Sequence, residues 1–209
     1  LYFYKKDCRA RIAGGLVTGQ KPNRLSIGEC GLILVMGAGF AQFANMFVNM
    51  IGSFLNAEEY QETMSQLTDG KSMFFLIVCM GIIAPLAEEI VFRWLIYLRL
   101  RDYMRSGEAI VISGLFFGIY HGNLVQGVYA SILGCLFAYF LEQTGSLWTS
   151  VLLHMGANIW SLVLPELAAW LLDRYPMGIA VMLVLLLTGM CAGISYFRNR
   201  TDTEQRRII

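Results

Sequence analysis

The chain has 209 residues, 56% of them hydrophobic and 15% charged, with a formal net charge of +1 at pH 7. Its mean hydropathy of +0.56 and a charged share well under the roughly 25% of soluble domains exclude an ordinary water-soluble globule. A near-neutral balance also excludes nucleic acid as an expected partner, because phosphate binding needs a basic surface.

The first residues, LYFYKK, read as the tail of an apolar segment that ends at a lysine pair. They suggest one more span upstream, or a truncated one, and no signal-peptide pattern follows them. A bilayer core takes about 20 apolar residues as a helix, and six stretches qualify as candidates. They cover about Ile27 to Leu55, Met73 to Leu100, Ala109 to His121, Leu124 to Leu141, Leu147 to Leu164 and Gly178 to Phe197. The third is short for a full crossing. The apolar segment from Pro165 to Pro176 reads as an interfacial helix. The expectation is a single all-α, polytopic membrane domain over residues 1–209, with a motif core at about 82–160 and a lipid bilayer as its surroundings. The five cysteines (Cys8, Cys30, Cys79, Cys135 and Cys191) lack CxxC spacing and read as small apolar residues.

The loops suggest an orientation. Lys5, Lys6, Arg9, Arg11, Lys21 and Arg24 precede the first span, Arg99, Arg101 and Arg105 follow the second, and Arg198, Arg200, Arg206 and Arg207 close the chain. Glu58, Glu59, Glu62 and Asp69 follow the first span. Cytoplasmic loops carry the excess of Lys and Arg, so six spans put the basic loops and both ends inside and the acidic loop outside.

Polar groups interrupt this apolar pattern. The second span carries Glu88, Glu89 and Arg93 in the stretch EEIVFR. Glu89 and Arg93 are four apart, on one helix face, and can pair. Glu88 points about 100° away from Glu89, so it does not easily share that partner. FGIYH ends the third span at His121, and HMGAN in the fifth puts His154 and Asn158 on one face. Ionisable groups cost a few kcal/mol each in a bilayer even on the lenient insertion scale. Two carboxylates, an arginine and both histidines of the chain therefore point to a shared polar site. Helix rise places Glu88 about 18 Å from Leu100, His121 about 21 Å from Gly107 and His154 about 12 Å from Ser146, which allows a common layer.

A glutamate and a histidine can take a proton from water and make a nucleophile. A second histidine and an asparagine amide can donate to a developing oxyanion. Such a set would hydrolyse an amide without a serine or cysteine nucleophile. The same Glu and His types could hold a divalent ion such as zinc, with Glu88, His121 and His154 as ligands. The HExxH pattern of soluble zinc proteases is absent, and spacing alone does not choose between the two chemistries.

At these residues the chain resembles the CAAX-protease and bacteriocin-processing family of intramembrane proteases, also called Abi. EEIVFR is similar to its EExxxR motif, FGIYH to FxxxH and HMGAN to HxxxN, in the same order and in separate apolar segments. The resemblance implies that Glu88 and His121 activate the attacking water and that His154 and Asn158 stabilise the oxyanion. It implies that Glu89 and Arg93 support the site, with Arg93 a candidate to meet a substrate carboxylate, and that Phe117 packs there or walls a substrate cleft. Members act on prenylated CAAX tails or are linked to peptide maturation and bacteriocin immunity, and are described both as metalloproteases and as glutamate-dependent enzymes. The implied partner is a membrane-associated peptide or protein. The implied setting is a bacterial plasma membrane, and the loop charges and helix depths above suggest that the site opens toward the cytoplasm. Two rival readings are a non-catalytic scaffold or immunity protein that binds a partner, and a proton-coupled carrier.

Overall fold

The computed structural model describes residues 2–16, 25–50, 57–175 and 177–206. The expected end of the first span at Leu55, the loop residues Lys21 and Arg24, Pro176 and Arg207 lie outside them, as do the side chains of Glu58, Glu59 and Arg206. The architecture is all-α. Among the described residues there are eight helices: α1 (Tyr2–Ala13), α2 (Ile27–Met50), α3 (Ala57–Thr68), α4 (Met73–Leu100), α5 (Ser106–Tyr120), α6 (Leu124–Thr144), α7 (Leu147–Arg174) and α8 (Gly178–Arg206). Five of them, α2, α4, α6, α7 and α8, are long and apolar enough to cross a membrane.

The expected count of six spans is corrected at α5. Its 15 residues reach only about 22 Å, short of the roughly 30 Å hydrocarbon core. It nevertheless keeps the alternation of chain direction. Phe92 of α4 meets Ser113 and Phe117 of α5, while Tyr97 packs with Ala109, so the two helices run antiparallel. A second correction concerns Pro165, which was expected to end the fifth span. Instead α7 continues through it to Arg174. The missing N–H and the displaced carbonyl are tolerated within apolar helices, where neighbours and local adjustments satisfy the freed groups. The segment expected as a separate interfacial helix is the far end of α7. The acidic segment after α2 is also not a plain loop, since it includes α3.

The packing is built on small residues. A Cβ on Gly37 of α2 would run into the backbone of Leu153 in α7, and one on Gly156 into the backbone of Leu34. Close approach of this kind is how helices associate where lipid removes the hydrophobic drive. Gln42 accepts from Trp160 Nε1 at 2.9 Å, so α2 and α7 run the same way. A core of Ile33, Met36, Phe40, Phe137, Leu153 and Phe197 joins α2, α6, α7 and α8.

The helix α4 is irregular, and the irregularity frames its glutamates. Pro85 cannot donate to the preceding turn. Ahead of it, Ile77–Ile83 is π-helical, and the Ala84 N–H reaches back five residues to the Cys79 carbonyl. The segment Ala84–Glu89 is α-helical, and Ile90–Tyr97 is π-helical again. Short π stretches inside α-helices are frequent at functional sites.

Ion pairs cluster at the basic end of α4. Asp7 of α1 accepts from Arg99 at 2.8 Å and from Trp94 Nε1 at 2.9 Å. Arg11 pairs with Asp102, and Glu142 of α6 takes Arg101 at 2.9 Å and the Tyr97 hydroxyl at 2.6 Å. Several of the basic residues read as topology signals therefore also hold α1, α4 and α6 together.

Candidate active site

The site forms where the α-helical turn of α4 faces α7, with α5 and α6 closing the sides. Glu88 and Glu89 leave adjacent turn positions in different directions, yet they meet the same imidazole. His154 Nδ1 lies 2.9 Å from Glu89 Oε1, and its Nε2 lies 3.6 Å from Glu88 Oε2. The expectation that Glu88 would not easily share Arg93 with Glu89 matches the ion pair of Arg93 with Glu89; both carboxylates reach His154, because a flat ring presents its two nitrogens to opposite sides.

Glu89 is fully buried and is held by two hydrogen bonds and an ion pair. Ser150 Oγ donates to its Oε2 at 2.5 Å, Arg93 Nε stands 3.0 Å from the same oxygen, and His154 takes Oε1. Arg93 is also fully buried. One terminal nitrogen donates to the Gly134 carbonyl at 3.0 Å, and the other makes no hydrogen bond. The faces of Phe117 and Phe137, 4.8 and 5.5 Å from its guanidinium carbon, take that place. Its guanidinium is thus surrounded by Glu89, Gly134 and two rings rather than by an open cleft. Phe117 is only 2% exposed. It touches Arg93, His121 and His154 at once, with ring centroids 4.8 Å from His121 and 5.4 Å from His154.

The carboxylate of Glu88 differs from that of Glu89. Its side chain keeps 20% of its exposure, against none for Glu89. The charged groups facing it are His154, His121, Glu89 and Arg93. His121 sits at the C-terminal end of α5, and its Nδ1 bonds the Phe117 carbonyl at 2.8 Å. A carbonyl and an ionised carboxylate only accept. Each histidine therefore carries a proton on Nδ1, and both Nε2 atoms are turned to other groups. Asn158, one turn beyond His154, gives one amide proton to the Met80 carbonyl at 2.8 Å and keeps a second.

The structure thus brings together Glu88, Glu89, Arg93, Phe117, His121 and His154, with Asn158 one turn away on the same helix. Two contributors escaped the sequence reading. Ser150 lies one turn before His154, so Ser150, His154 and Asn158 form a polar stripe at i, i+4 and i+8 in an apolar helix, a legible signal. Phe137 stacks on His154 at 5.0 Å with the rings 27° apart, and nothing in its spacing announces that. Among the described residues, no group of three or more His, Cys, Asp or Glu side chains is arranged to hold a metal ion. The donor set of Glu88, His121 and His154 does not close around an ion as placed.

A polytopic helical membrane protein with a buried Glu–His–Glu arrangement is the class that this fold and site define. Residues 70–160 match the family model for "Type II CAAX prenyl endopeptidase Rce1-like", and the matched span holds all three motifs. The chain is also 26% identical over 151 residues to "Putative membrane peptidase YdiL" of Bacillus subtilis, an alignment covering 71% of this chain and 61% of that protein. The chain thus spans about 61% of the length of the curated relative it matches. No solved structure matches it.

Proposed function

We propose that the protein is an intramembrane endopeptidase that hydrolyses a peptide bond in a membrane-associated peptide, with Glu88 as the proton-transfer group. The observation that carries this reading is the 3.6 Å approach of a partly exposed Glu88 carboxylate to His154 Nε2. Two groups that would both accept face each other there, so the pair shares a proton or a bridging water. That is a proton-transfer device, whereas a purely structural carboxylate would be fully paired, as Glu89 is.

In the proposed reaction, Glu88, assisted by His121 Nε2, removes a proton from water. The hydroxide attacks the amide carbonyl. His154, protonated at Nε2 and flanked by Glu89, donates to the developing oxyanion together with the second amide proton of Asn158. Glu88 then gives its proton to the departing amine nitrogen, which breaks the C–N bond and restores the carboxylate. A CAAX-type tail is the first substrate to test, since the matched family is described by that activity; peptide pheromones and bacteriocin-like peptides come next. We place the site's opening toward the cytoplasmic face of a bacterial plasma membrane, because Arg99, Arg101 and Arg105 close the nearer end of α4 and Lys/Arg-rich loops stay inside.

The test is mass spectrometry of candidate peptides incubated with the purified protein, with and without chelator. Cleavage that survives chelation is the expected result for a glutamate-driven reaction. Cleavage abolished by chelator and restored by zinc assigns the water activation to a metal held at the same residues. No cleavage of any candidate contradicts the reading.

A further inference from the structure

Ser150 belongs to none of the three motifs, yet it is fully buried beside the site. In apolar helices a serine hydroxyl commonly bonds a carbonyl one turn back on its own helix. Ser150 instead reaches across to α4, donating to Glu89 Oε2 at 2.5 Å, with the Phe137 carbonyl at 3.2 Å as its other neighbour. A hydroxyl has one proton to give, and the shorter contact, to a charged acceptor, takes it.

The consequence reaches His154. Ser150 and Arg93 occupy Oε2 of Glu89, so Oε1 is the oxygen left for His154 Nδ1. Phe137 stacks on one face of the imidazole and Phe117 meets it edge-on, which restricts tilting of the ring. With Nδ1 held by Glu89, Nε2 faces Glu88. We propose that Ser150 is a positioning residue of this site: by fixing the Glu89 carboxylate, it holds the His154 proton on Nδ1 and turns Nε2 to the reacting centre. The catalytic consequence rests on the protease reading, whereas the effect on the histidine does not. Partners that orient a functional histidine typically change activity 10- to 100-fold when removed.

The experiment pairs two readouts on the full-length protein in detergent or nanodiscs. Imidazole 15N NMR reports which nitrogen of each histidine carries the proton. The chain has only two histidines, so His121→Asn assigns the His154 signals. Wild type is expected to keep Nδ1 protonated across the titration. Ser150→Ala is expected to distribute that proton over both nitrogens, to lower kcat about 10- to 100-fold with KM unchanged, and to be rescued by Ser150→Thr. Ser150→Cys, which keeps the volume and weakens the donor, serves if the alanine variant does not fold. An unchanged proton position, or kcat within twofold of wild type, overturns the proposal. A wild type that cleaves nothing but shows the expected NMR change supports the positioning and overturns the protease reading instead.

Discussion

Two neighbouring glutamates in one apolar helix have opposite surroundings. Glu89 is sealed among Arg93, Ser150 and His154, while Glu88 keeps access to solvent beside the far nitrogen of that histidine. Their substitutions should therefore fail in different ways. Arg93→Met leaves the Glu89 charge buried and uncompensated, which typically costs 3–5 kcal/mol. Thermal or denaturant unfolding in detergent should show that loss, and the double variant Glu89→Gln/Arg93→Met should regain part of it. A single variant that melts like wild type would show that the pair is not structural. The pairing itself was legible in the sequence, because i, i+4 spacing within one helix is a local property. The embrace of His154 by both glutamates was not, since it depends on how α4 and α7 are turned toward each other. Phe137 was silent for the same reason: a phenylalanine in an apolar span carries no signal until its neighbour is known.

At the level of elements, α2 and α7 meet through glycines. Gly156→Ala would drive a methyl group into the backbone of Leu34, and overpacking of this kind typically costs 1–3 kcal/mol. The variant should unfold at a lower temperature and lose activity only as far as His154 is displaced. The helix α1 offers a pH test. Burial pushes the Asp7 carboxyl up, but the bonds from Arg99 and Trp94 outweigh it and leave it below the usual carboxylate range. A depressed value in the folded state means that the contact stabilises the fold above the ordinary carboxylate range. That contribution is lost as pH falls through the folded value. Proteolysis of the α1 end should therefore accelerate only once the pH falls below the ordinary carboxylate range, and Asp7→Asn should show that faster rate already at pH 7. Most spans could be drawn from hydropathy. The course of α7 through Pro165 could not, because proline reads as a break in water-soluble helices while an apolar setting tolerates it. The shortness of α5 was visible in residue count, but its place beside α4 and α6 required tertiary contacts. The π-helical stretches around Pro85 left no trace beyond the proline.

At the scale of the whole molecule, a helical bundle that crosses the bilayer carries a polar site made by α4, α5 and α7 and steadied by α6. The bundle supplies burial for Glu89 and Arg93, and Glu88, on the α-helical turn between two π-helical stretches of α4, stays partly exposed beside His154. The most direct test is peptide hydrolysis in H2 18O by wild type and by Glu88→Gln, both confirmed folded by their melting curves. Wild type should release a product with 18O in its new terminal carboxyl, and Glu88→Gln should lose at least the roughly 100-fold that a positioned proton-transfer group contributes. A Glu88→Gln variant that cleaves at the wild-type rate would contradict the account.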